Sequence, residues 1–390
     1  MDFDLTDEQR MVQRAVRDFC DSELKPYAAE VDESGALRWE AIRKMPALGL
    51  TALQVPEEYG GAGLDTISTA LAIEEVARAC GSTALSLAAH NGLGCGPIVR
   101  WGTAAQKERY LPPLVSGETL GALALTEPGA GSDLAGGVQT TARRDGDGWR
   151  LNGSKAWITN ASYAPVITVL ARGDDDRGTR GFNMLLVEPG AEGFTIHPPE
   201  RKMGLKGSPT HALSFDDVRL PADALLGEDG AGFRQTMQTL DNGRITIGAL
   251  SIGLAQAAFE VSVGYATQRR AFSQPIANFQ AIQWMLADAA TEIEAARTLV
   301  HKAAWLKDMG RDFTRVAAMA KLFASEMAER VCRNAIQIHG AYGYSREFPV
   351  ERIYRDERLM TIGEGTSEVL RIVIFKRVLD AFERTTAGVG

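Results

Sequence analysis

Ala124-Leu-Thr-Glu-Pro-Gly-Ala-Gly-Ser-Asp133 stands where the character of this 390-residue chain changes. The apolar start of this stretch predicts a strand, and its end predicts a loop of small residues with hydroxyls at Thr126 and Ser132. Such a loop lets several backbone amides approach a planar or anionic ligand closely. Taken alone, the pattern fits an ordinary turn equally well, so its surroundings have to decide.

The residues around the loop predict a β region. Between residues 121 and 221, short apolar runs are separated by Asp-Gly and Asn-Gly pairs, which are typical of hairpin turns. Asp145-Gly-Asp-Gly148 is expected to join two strands, and Asn152-Gly153 to join the next two. About seven short strands without intervening helices favour a small antiparallel barrel or sandwich. The predicted strands cover residues 139–144, 149–151, 156–159, 166–171, 183–188, 194–197 and 211–215.

Helical periods flank this β region on both sides. Thr6-Asp-Glu-Gln9 forms a capping box at the first helix, and further helices are expected over residues 39–48, 68–79 and 82–101. Beyond Gly232 the pattern predicts helices over 232–269, 279–309 and 313–339, and a last one opened by Thr366. The predicted organisation is therefore an N-terminal helical bundle (1–118), a middle β domain (119–229) and a C-terminal four-helix bundle (230–390).

Composition excludes several classes of protein. The formal net charge of −8 and the absence of a long basic run argue against nucleic-acid binding. The four cysteines are far apart and no histidines cluster, so neither a disulfide framework nor a metal site is predicted. The sequence contains neither an uninterrupted run of 18 apolar residues nor a signal segment, so membrane insertion is not predicted. We expect a protein of a reducing compartment, either cytoplasmic or the mature form of a mitochondrial matrix protein.

Two glycine patterns resemble nucleotide-binding loops without meeting their requirements. Gly129-Ala-Gly131-Ser-Asp-Leu134 lacks the final glycine and the parallel βαβ unit of a dinucleotide fingerprint. Gly153-Ser-Lys155 reverses the Lys-Ser order of a phosphate-binding loop and lies in a predicted hairpin. Neither supports a nucleoside triphosphatase.

A lone carboxylate lies near the end of the chain, in Met360-Thr-Ile-Gly-Glu-Gly-Thr-Ser-Glu-Val-Leu-Arg371. Glu364 stands between two glycines, directly before the helix opened by Thr366. Such an acid is well placed to act on a ligand, although these residues alone fit a solvated turn better. On a predicted strand, Trp157 and Thr159 share one face, so an aromatic plane and a hydroxyl could meet the same ligand.

In their order and spacing these segments are specific. The chain resembles the acyl-CoA dehydrogenase family over essentially its whole length. The resemblance is carried by five motifs: Leu125 to Asp133, Trp157-Ile-Thr159, Arg269-Arg-Ala-Phe272 with Gln280, Gln337-Ile-His-Gly340-Ala-Tyr-Gly343, and Glu364-Gly-Thr366. Departures from the family pattern are Gln268, Ser273 and Ala341, of which the last adds a methyl group where the backbone meets the cofactor.

The resemblance implies an FAD site, a thioester site and a homotetramer built as a dimer of dimers. The flavin contacts it implies are Leu123, Leu125, Thr126, Gly131, Ser132, Trp157, Ile158 and Thr159. Pyrophosphate and adenine contacts from a neighbouring subunit are Arg269, Phe272, Gln280, Gln337, Ile338, Gly340 and Ala341. Thr366 and Glu368 are further cofactor contacts that the resemblance implies. Substrate contacts are Ser132, Asp241, Arg244 and Gly365.

The implied reaction is α,β-dehydrogenation of a fatty or branched acyl-CoA to the trans-2-enoyl-CoA, as in fatty acid β-oxidation or branched-chain amino acid catabolism. Glu364 would remove the α-proton, FAD would accept the β-hydride, and an electron-transfer flavoprotein would take the electrons. Some members carry the base at the position of Gly243, which has no side chain here. Burial would raise the pKa of Glu364 and the adjacent helix start would lower it, and the sequence leaves this balance open.

Two alternatives follow from the same resemblance. An acyl-CoA oxidase would reoxidise its flavin with oxygen, and such chains usually extend much further at the C-terminus. A flavin- or acyl-CoA-binding homologue without turnover would be expected to lack Glu364.

Overall fold

The computed structural model of the chain describes residues 4–173 and 177–387. Its first part is helical, and the predicted capping box is confirmed: the Gln9 amide donates to the Thr6 hydroxyl over 3.2 Å, and the Thr6 amide donates to the Gln9 side chain over 3.0 Å. The helices here are α1 (Asp7–Glu23), α2 (Ala28–Ser34), α3 (Trp39–Ile42), α4 (Thr66–Ala79), α5 (Gly81–Ala88), α6 (Gly96–Trp101) and α7 (Ala104–Val115).

Two predicted N-terminal helices are interrupted. The helix expected over 39–48 ends at Ile42 and continues as a 3₁₀ turn at Met45–Leu48, because Pro46 has no N–H to donate. The helix expected over 82–101 contains a π-helical segment at Ala89–Cys95, between α5 and α6. Such wide turns occur often at functional sites.

The middle of the chain forms one curled seven-stranded sheet. The strands are β1 (Ala122–Ala124), β2 (Thr141–Asp145), β3 (Gly148–Thr159), β4 (Ile167–Arg172), β5 (Phe182–Val187), β6 (Phe194–Pro199) and β7 (Thr210–Leu220). Their order is β1-β4-β2-β3-β7-β6, and β5 pairs with the other side of β4. A short helix, α8 (Leu134–Gly137), follows the loop after β1.

The pairing of the sheet differs from the antiparallel expectation at one edge. Most neighbours are antiparallel, but β1 runs parallel to β4, and β2 meets β4 in a parallel sense at its first residue. A parallel pair requires a long connection, and the chain supplies one by forming β2 and β3 between β1 and β4. The loop after β1 is thereby left at the end of the sheet.

The predicted turn at Asn152-Gly153 is wrong. β3 runs through both residues without a break, and its register against β7 shifts between Leu151 and Gly153. At this irregularity the Asn152 side chain accepts a hydrogen bond from the Asp217 amide over 2.8 Å, which gives that amide a partner. A Cβ on Gly153 would lie 2.6 Å from the Thr140 hydroxyl, which makes this glycine a requirement of close packing.

The C-terminal part is the predicted bundle with one additional short helix. Its helices are α9 (Gly232–Gln268), α10 (Gln280–Asp308), α11 (Thr314–His339), α12 (Val350–Glu357) and α13 (Ser367–Ala387), and a two-stranded hairpin of β8 (Arg270–Ala271) and β9 (Gln274–Pro275) joins α9 to α10. The fold class expected from the sequence is confirmed by this order of helices, sheet and helices.

Helix α9 lies at the centre of the molecule. It is long and apolar enough to cross a membrane by composition, yet 78% of its most apolar window is buried inside the protein. One apolar core contains its residues Ile245 and Leu250 together with Val76 of α4 and Met327 of α11. The N-terminal helices and the C-terminal bundle therefore share a single core, which fixes α9 relative to both.

Candidate active site

The acidic turn is built from two consecutive residues in the left-handed region. The Gly363 amide donates to Leu359 O over 2.8 Å, after which Glu364 has φ 53° and Gly365 has φ 100°. The Thr366 hydroxyl then accepts the Val369 amide over 3.3 Å and caps α13. Left-handed backbone costs a non-glycine residue about 1–2 kcal/mol. Strain of this kind at a lone acid is a feature of functional sites.

The Glu364 carboxylate is aimed inward at α9. Its Oε2 atom is buried and has no hydrogen-bond partner among the described residues. A Cβ placed on Gly243 would lie only 1.9 Å from that oxygen, so the carboxylate occupies the space that the absent side chain leaves. A base on the turn, as here, and a base at position 243 of the helix would therefore place their carboxylates in the same region.

Two cations face this carboxylate from different helices. Arg244 of α9 is 6% exposed and is paired with Asp241, whose other oxygen accepts the Thr314 hydroxyl over 2.7 Å. Lys321 of α11 is fully buried, and its ammonium donates to Gly365 O over 2.7 Å. Burial raises the pKa of Glu364 to about 7, against the opposing charges of Lys321 and Arg244. The sequence leaves open whether the pKa of Glu364 is raised or lowered, and in the structure the desolvation of the buried carboxylate raises it.

This pKa predicts how the rate depends on pH. A general base must be ionised, so kcat/KM should be low below the pKa of Glu364, rise through a half-maximal value near pH 7 and level off above it. Measuring kcat/KM from roughly pH 5 to pH 9 checks this. A profile that is already flat from pH 5 upward would show that the carboxylate titrates near its ordinary value.

The loop after β1 is held in place by a buried ion pair with a residue of β3. Lys155 of β3 is fully buried, and its ammonium donates to Leu125 O over 3.0 Å and to the Glu127 carboxylate over 2.8 Å. Glu127 also accepts the amides of Gln139 and Thr140, at 2.7 and 3.0 Å. Since the Ala156 amide donates to Thr126 O over 2.9 Å, the loop is held directly beside the end of β3.

This arrangement fits a planar cofactor. Trp157 has φ 63° and is 59% exposed, although the two residues before it in β3 are buried. Gly129 and Gly131 lie beside open space, since a Cβ on either would meet no atom within 4 Å. An open indole and an open glycine loop thus stand at the same end of the sheet. The predicted flavin contacts of Leu123 to Ser132 and of Trp157 to Thr159 are brought together here.

The remaining predicted cofactor residues form a second group on the bundle. The Arg269 guanidinium lies over the ring of Tyr342 at 5.7 Å, which joins the end of α9 to the turn after α11. Phe272, with φ 48°, is 90% exposed. Gln280, Gln337, Gly340 and Ala341 are exposed as well, and Ile338 is buried. An outward-facing group of this kind suits a cofactor held by another subunit.

Thr366 and Glu368 lie beyond the acidic turn. Both line a cavity of about 370 Å³ with Arg330, Arg333 and Arg358 among its walls. Hydrogen bonds from its own amide and from Thr366 lower the pKa of Glu368. Glu326, Glu329 and Glu368 line the same cavity, so its three arginines are balanced by three carboxylates.

Two supports of the site are not predicted from the sequence: the Lys155–Glu127 pair and Lys321. Lys321 does leave a signal, because it stands in α11 among the buried residues Ala317, Ala320 and Ala324. A lysine at a position that the helical period assigns to the core requires a buried partner. Nothing in the sequence identifies that partner as the carbonyl of Gly365.

Comparison with known proteins identifies the family. Residues 6–118, 122–218 and 230–379 match the N-terminal, middle and C-terminal domains of acyl-CoA dehydrogenase. The chain is 53% identical over 380 residues to the "Probable acyl-CoA dehydrogenase YngJ" of Bacillus subtilis, covering 97% of this chain and 100% of that protein. The chain belongs to the acyl-CoA dehydrogenase family. It is therefore an FAD-dependent oxidoreductase that dehydrogenates acyl-CoA thioesters.

Several solved structures share the whole architecture. Butyryl-CoA dehydrogenase from Megasphaera elsdenii has a TM-score of 0.94 and 44% identity, covering 97% of this chain and 100% of that one. A chain in the structure of the electron transferring flavoprotein of Acidaminococcus fermentans has a TM-score of 0.94, 42% identity and the same coverage. The Bacillus anthracis acyl-CoA dehydrogenase complexed with FAD has a TM-score of 0.91 and 37% identity, covering 98% of this chain and 68% of that one.

Proposed function

We propose that this enzyme oxidises short, straight-chain acyl-CoA thioesters to trans-2-enoyl-CoA and that Glu364 is the base. The observation that carries the proposal is the enclosed Glu364 carboxylate, whose Oε2 atom has no hydrogen-bond partner among the described residues and faces the space at Gly243. The preference for a short chain is supported by the likeness to butyryl-CoA dehydrogenase. The enzyme would serve fatty acid β-oxidation, and a branched-chain substrate is the competing assignment.

The protein's own groups perform the proton chemistry. The α-proton of the bound thioester passes to a carboxylate oxygen of Glu364, whose pKa of about 7 matches the task of a general base at neutral pH. The Glu364 amide would donate to the thioester carbonyl, where negative charge develops. Bound FAD supplies the acceptor for the β-hydride. Asp241 and Arg244 orient the substrate from α9, with Ser132 from the loop and Gly365 from the turn.

The substrate assignment is tested by anaerobic mixing of the holoenzyme with a series of acyl-CoA esters. Butyryl-, hexanoyl-, octanoyl- and palmitoyl-CoA vary the length, and isobutyryl- and isovaleryl-CoA vary the branching. We expect the fastest loss of flavin absorbance at 450 nm with butyryl-CoA, about tenfold or more above the branched esters, because a pocket discriminates a misplaced methyl group by 1–3 kcal/mol. Faster bleaching by a branched ester would assign the enzyme to branched-chain catabolism instead.

The electron acceptor is tested separately. We infer that an electron-transfer flavoprotein reoxidises the enzyme, supported by the likeness to a chain in a structure of such a protein. Turnover with butyryl-CoA should then require added electron-transfer flavoprotein. Peroxide formed at the rate of enoyl-CoA production in its absence would make the enzyme an acyl-CoA oxidase, and FAD binding without bleaching would leave a homologue that only binds.

We also infer that the enzyme is a homotetramer of the cytoplasm. The proposal of an oligomer is supported by α13, which buries Leu370 yet carries an exposed apolar stripe of Ile372, Phe375, Leu379 and Phe382. Exposed apolar stripes of this kind mark protein interfaces. A reducing compartment is consistent with Cys20, Cys80, Cys95 and Cys332, which are all unpaired and buried. Light scattering on the purified holoenzyme measures the number of subunits.

A further inference from the structure

Lys321 is the one charged residue in a row of small core residues on α11. Its neighbours on that face, Ala317, Ala320, Ala324 and Ala328, are all fully buried, and so is Lys321 itself. An ammonium group taken out of water is costly unless it is well paired, so a lysine at this place requires a specific reason. Packing alone does not supply this reason, because the neighbouring positions on the same face are filled by uncharged alanines.

The partner of Lys321 is a backbone carbonyl in the middle of the acidic turn. Its ammonium lies 2.7 Å from Gly365 O, the residue directly after Glu364. The turn is held before this point by the Gly363 amide on Leu359 O and after it by the Thr366 cap. Lys321 therefore ties the segment with the two left-handed residues, Glu364 and Gly365, to α11.

The charge of Lys321 is also available to Glu364. The other cation that faces the carboxylate, Arg244, is already paired with Asp241, whereas Lys321 donates to an uncharged carbonyl. Glu326 of α11 and Glu368 of α13 add weaker negative fields at Lys321. Burial lowers the pKa of Lys321 to about 8, and Glu364 opposes that shift, so the lysine is still charged at neutral pH.

We propose that Lys321 is a positioning residue for the base: by holding the Gly365 carbonyl it aims the Glu364 carboxylate at Gly243, and its charge favours the ionised carboxylate. The inference rests on the proposed role of Glu364 and adds a second residue to it. In this role Lys321 acts through the turn and exchanges no proton with the substrate.

The proposal is tested on the proton-transfer step by itself. A thioester with sulfur in place of the β-carbon, such as 3-thiabutyryl-CoA, has an acidic α-proton but no β-hydride to lose. The holoenzyme is mixed with this thioester in D₂O at a series of pH values, and NMR monitors the exchange of the α-proton for deuterium. The exchange rate therefore measures proton removal by the base without hydride transfer. Thermal unfolding of each variant is measured in parallel.

Lys321→Met keeps the length and volume of the side chain and removes the charge and the donor. We expect the midpoint of the exchange profile to move upward by about one to two pH units, because an opposite charge beside a carboxyl lowers its pKa by that order. Lys321→Arg keeps the charge and should leave the midpoint near that of the wild type, with a lower plateau because the longer head displaces the turn. Lys321→Gln replaces the methionine variant if the latter does not fold, with the same upward shift expected.

A matched control is Lys202→Met. Lys202 also donates to a backbone carbonyl, that of Ser208, over 2.7 Å, and its charged neighbours are Asp356 and Glu200 instead of Glu364. The Lys202→Met variant should lose stability as Lys321→Met does, but its proton-exchange profile should keep the wild-type midpoint. An unchanged midpoint in Lys321→Met would overturn the inference, and so would an equal shift in Lys202→Met. If Glu364→Gln still exchanged the proton, the base assignment itself would fail, which is a different outcome.

Discussion

Glu364→Gln should bind FAD like the wild type and lose roughly 10²–10⁴-fold in the rate of flavin reduction, the usual contribution of a general base. The amide has the shape of the carboxylate but cannot accept the α-proton. Within the part of the chain that the structure describes, the Oε2 atom has no hydrogen-bond partner, so the substitution breaks no such bond of that oxygen. Stopped-flow reduction under anaerobic conditions gives the rate, and the flavin spectrum of the purified protein gives the FAD content.

Glu357→Gln is the control for this experiment. Glu357 lies seven residues earlier on α12, is fully buried, and neither of its carboxylate oxygens has a partner among the described residues. Burial raises its pKa to about 8, so it is largely protonated at neutral pH and glutamine replaces it closely. Its reduction rate should stay within about threefold of the wild type. Near-normal reduction by Glu364→Gln would remove Glu364 from the mechanism.

The sequence predicts the elements of this fold better than their junctions. Long helices such as α9 and α11 follow from a sustained period, and the change to short apolar runs locates the sheet. The Asn-Gly signal fails at residues 152–153 because tertiary packing against Thr140 requires a glycine there, inside a strand. The π-helical segment and the parallel pairing of β1 with β4 depend on contacts between distant parts of the chain, which no local pattern records.

The candidate site shows the same limit at the level of single residues. Trp157, Phe272 and Glu364 all belong to motifs, and all three have positive φ although none is glycine. Local propensity disfavours that conformation, so the sequence indicates which residues matter without indicating how they are held. The supports, Lys155 for the loop and Lys321 for the turn, stand on other elements and become visible only when those elements pack. The division of the chain at residues 118 and 229 stays a prediction.

Gly243→Ala should abolish most activity while leaving the fold intact. Its Cβ would lie 1.9 Å from Glu364 Oε2, so one of the two groups has to move. The group that can move is the carboxylate, because it is the end of a flexible side chain, whereas Gly243 lies within the packed helix α9. A displacement of about 1 Å at a reacting group can cost about 100-fold in rate. In contrast, alanine should stabilise the helix itself by up to about 1 kcal/mol.

Gly264→Ala separates these two effects, since it lies on the same helix and a Cβ there meets no atom within 4 Å. It should raise the thermal midpoint without changing the rate of flavin reduction. A double-mutant cycle tests the shared space directly: in a Glu364→Gly background there is no carboxylate to displace, so Gly243→Ala should have no further effect. Gly243→Glu in that background returns a carboxylate to the same point from α9 and should restore part of the lost rate. Additive losses across the cycle would mean that Gly243 acts on catalysis by some route other than the space occupied by Glu364.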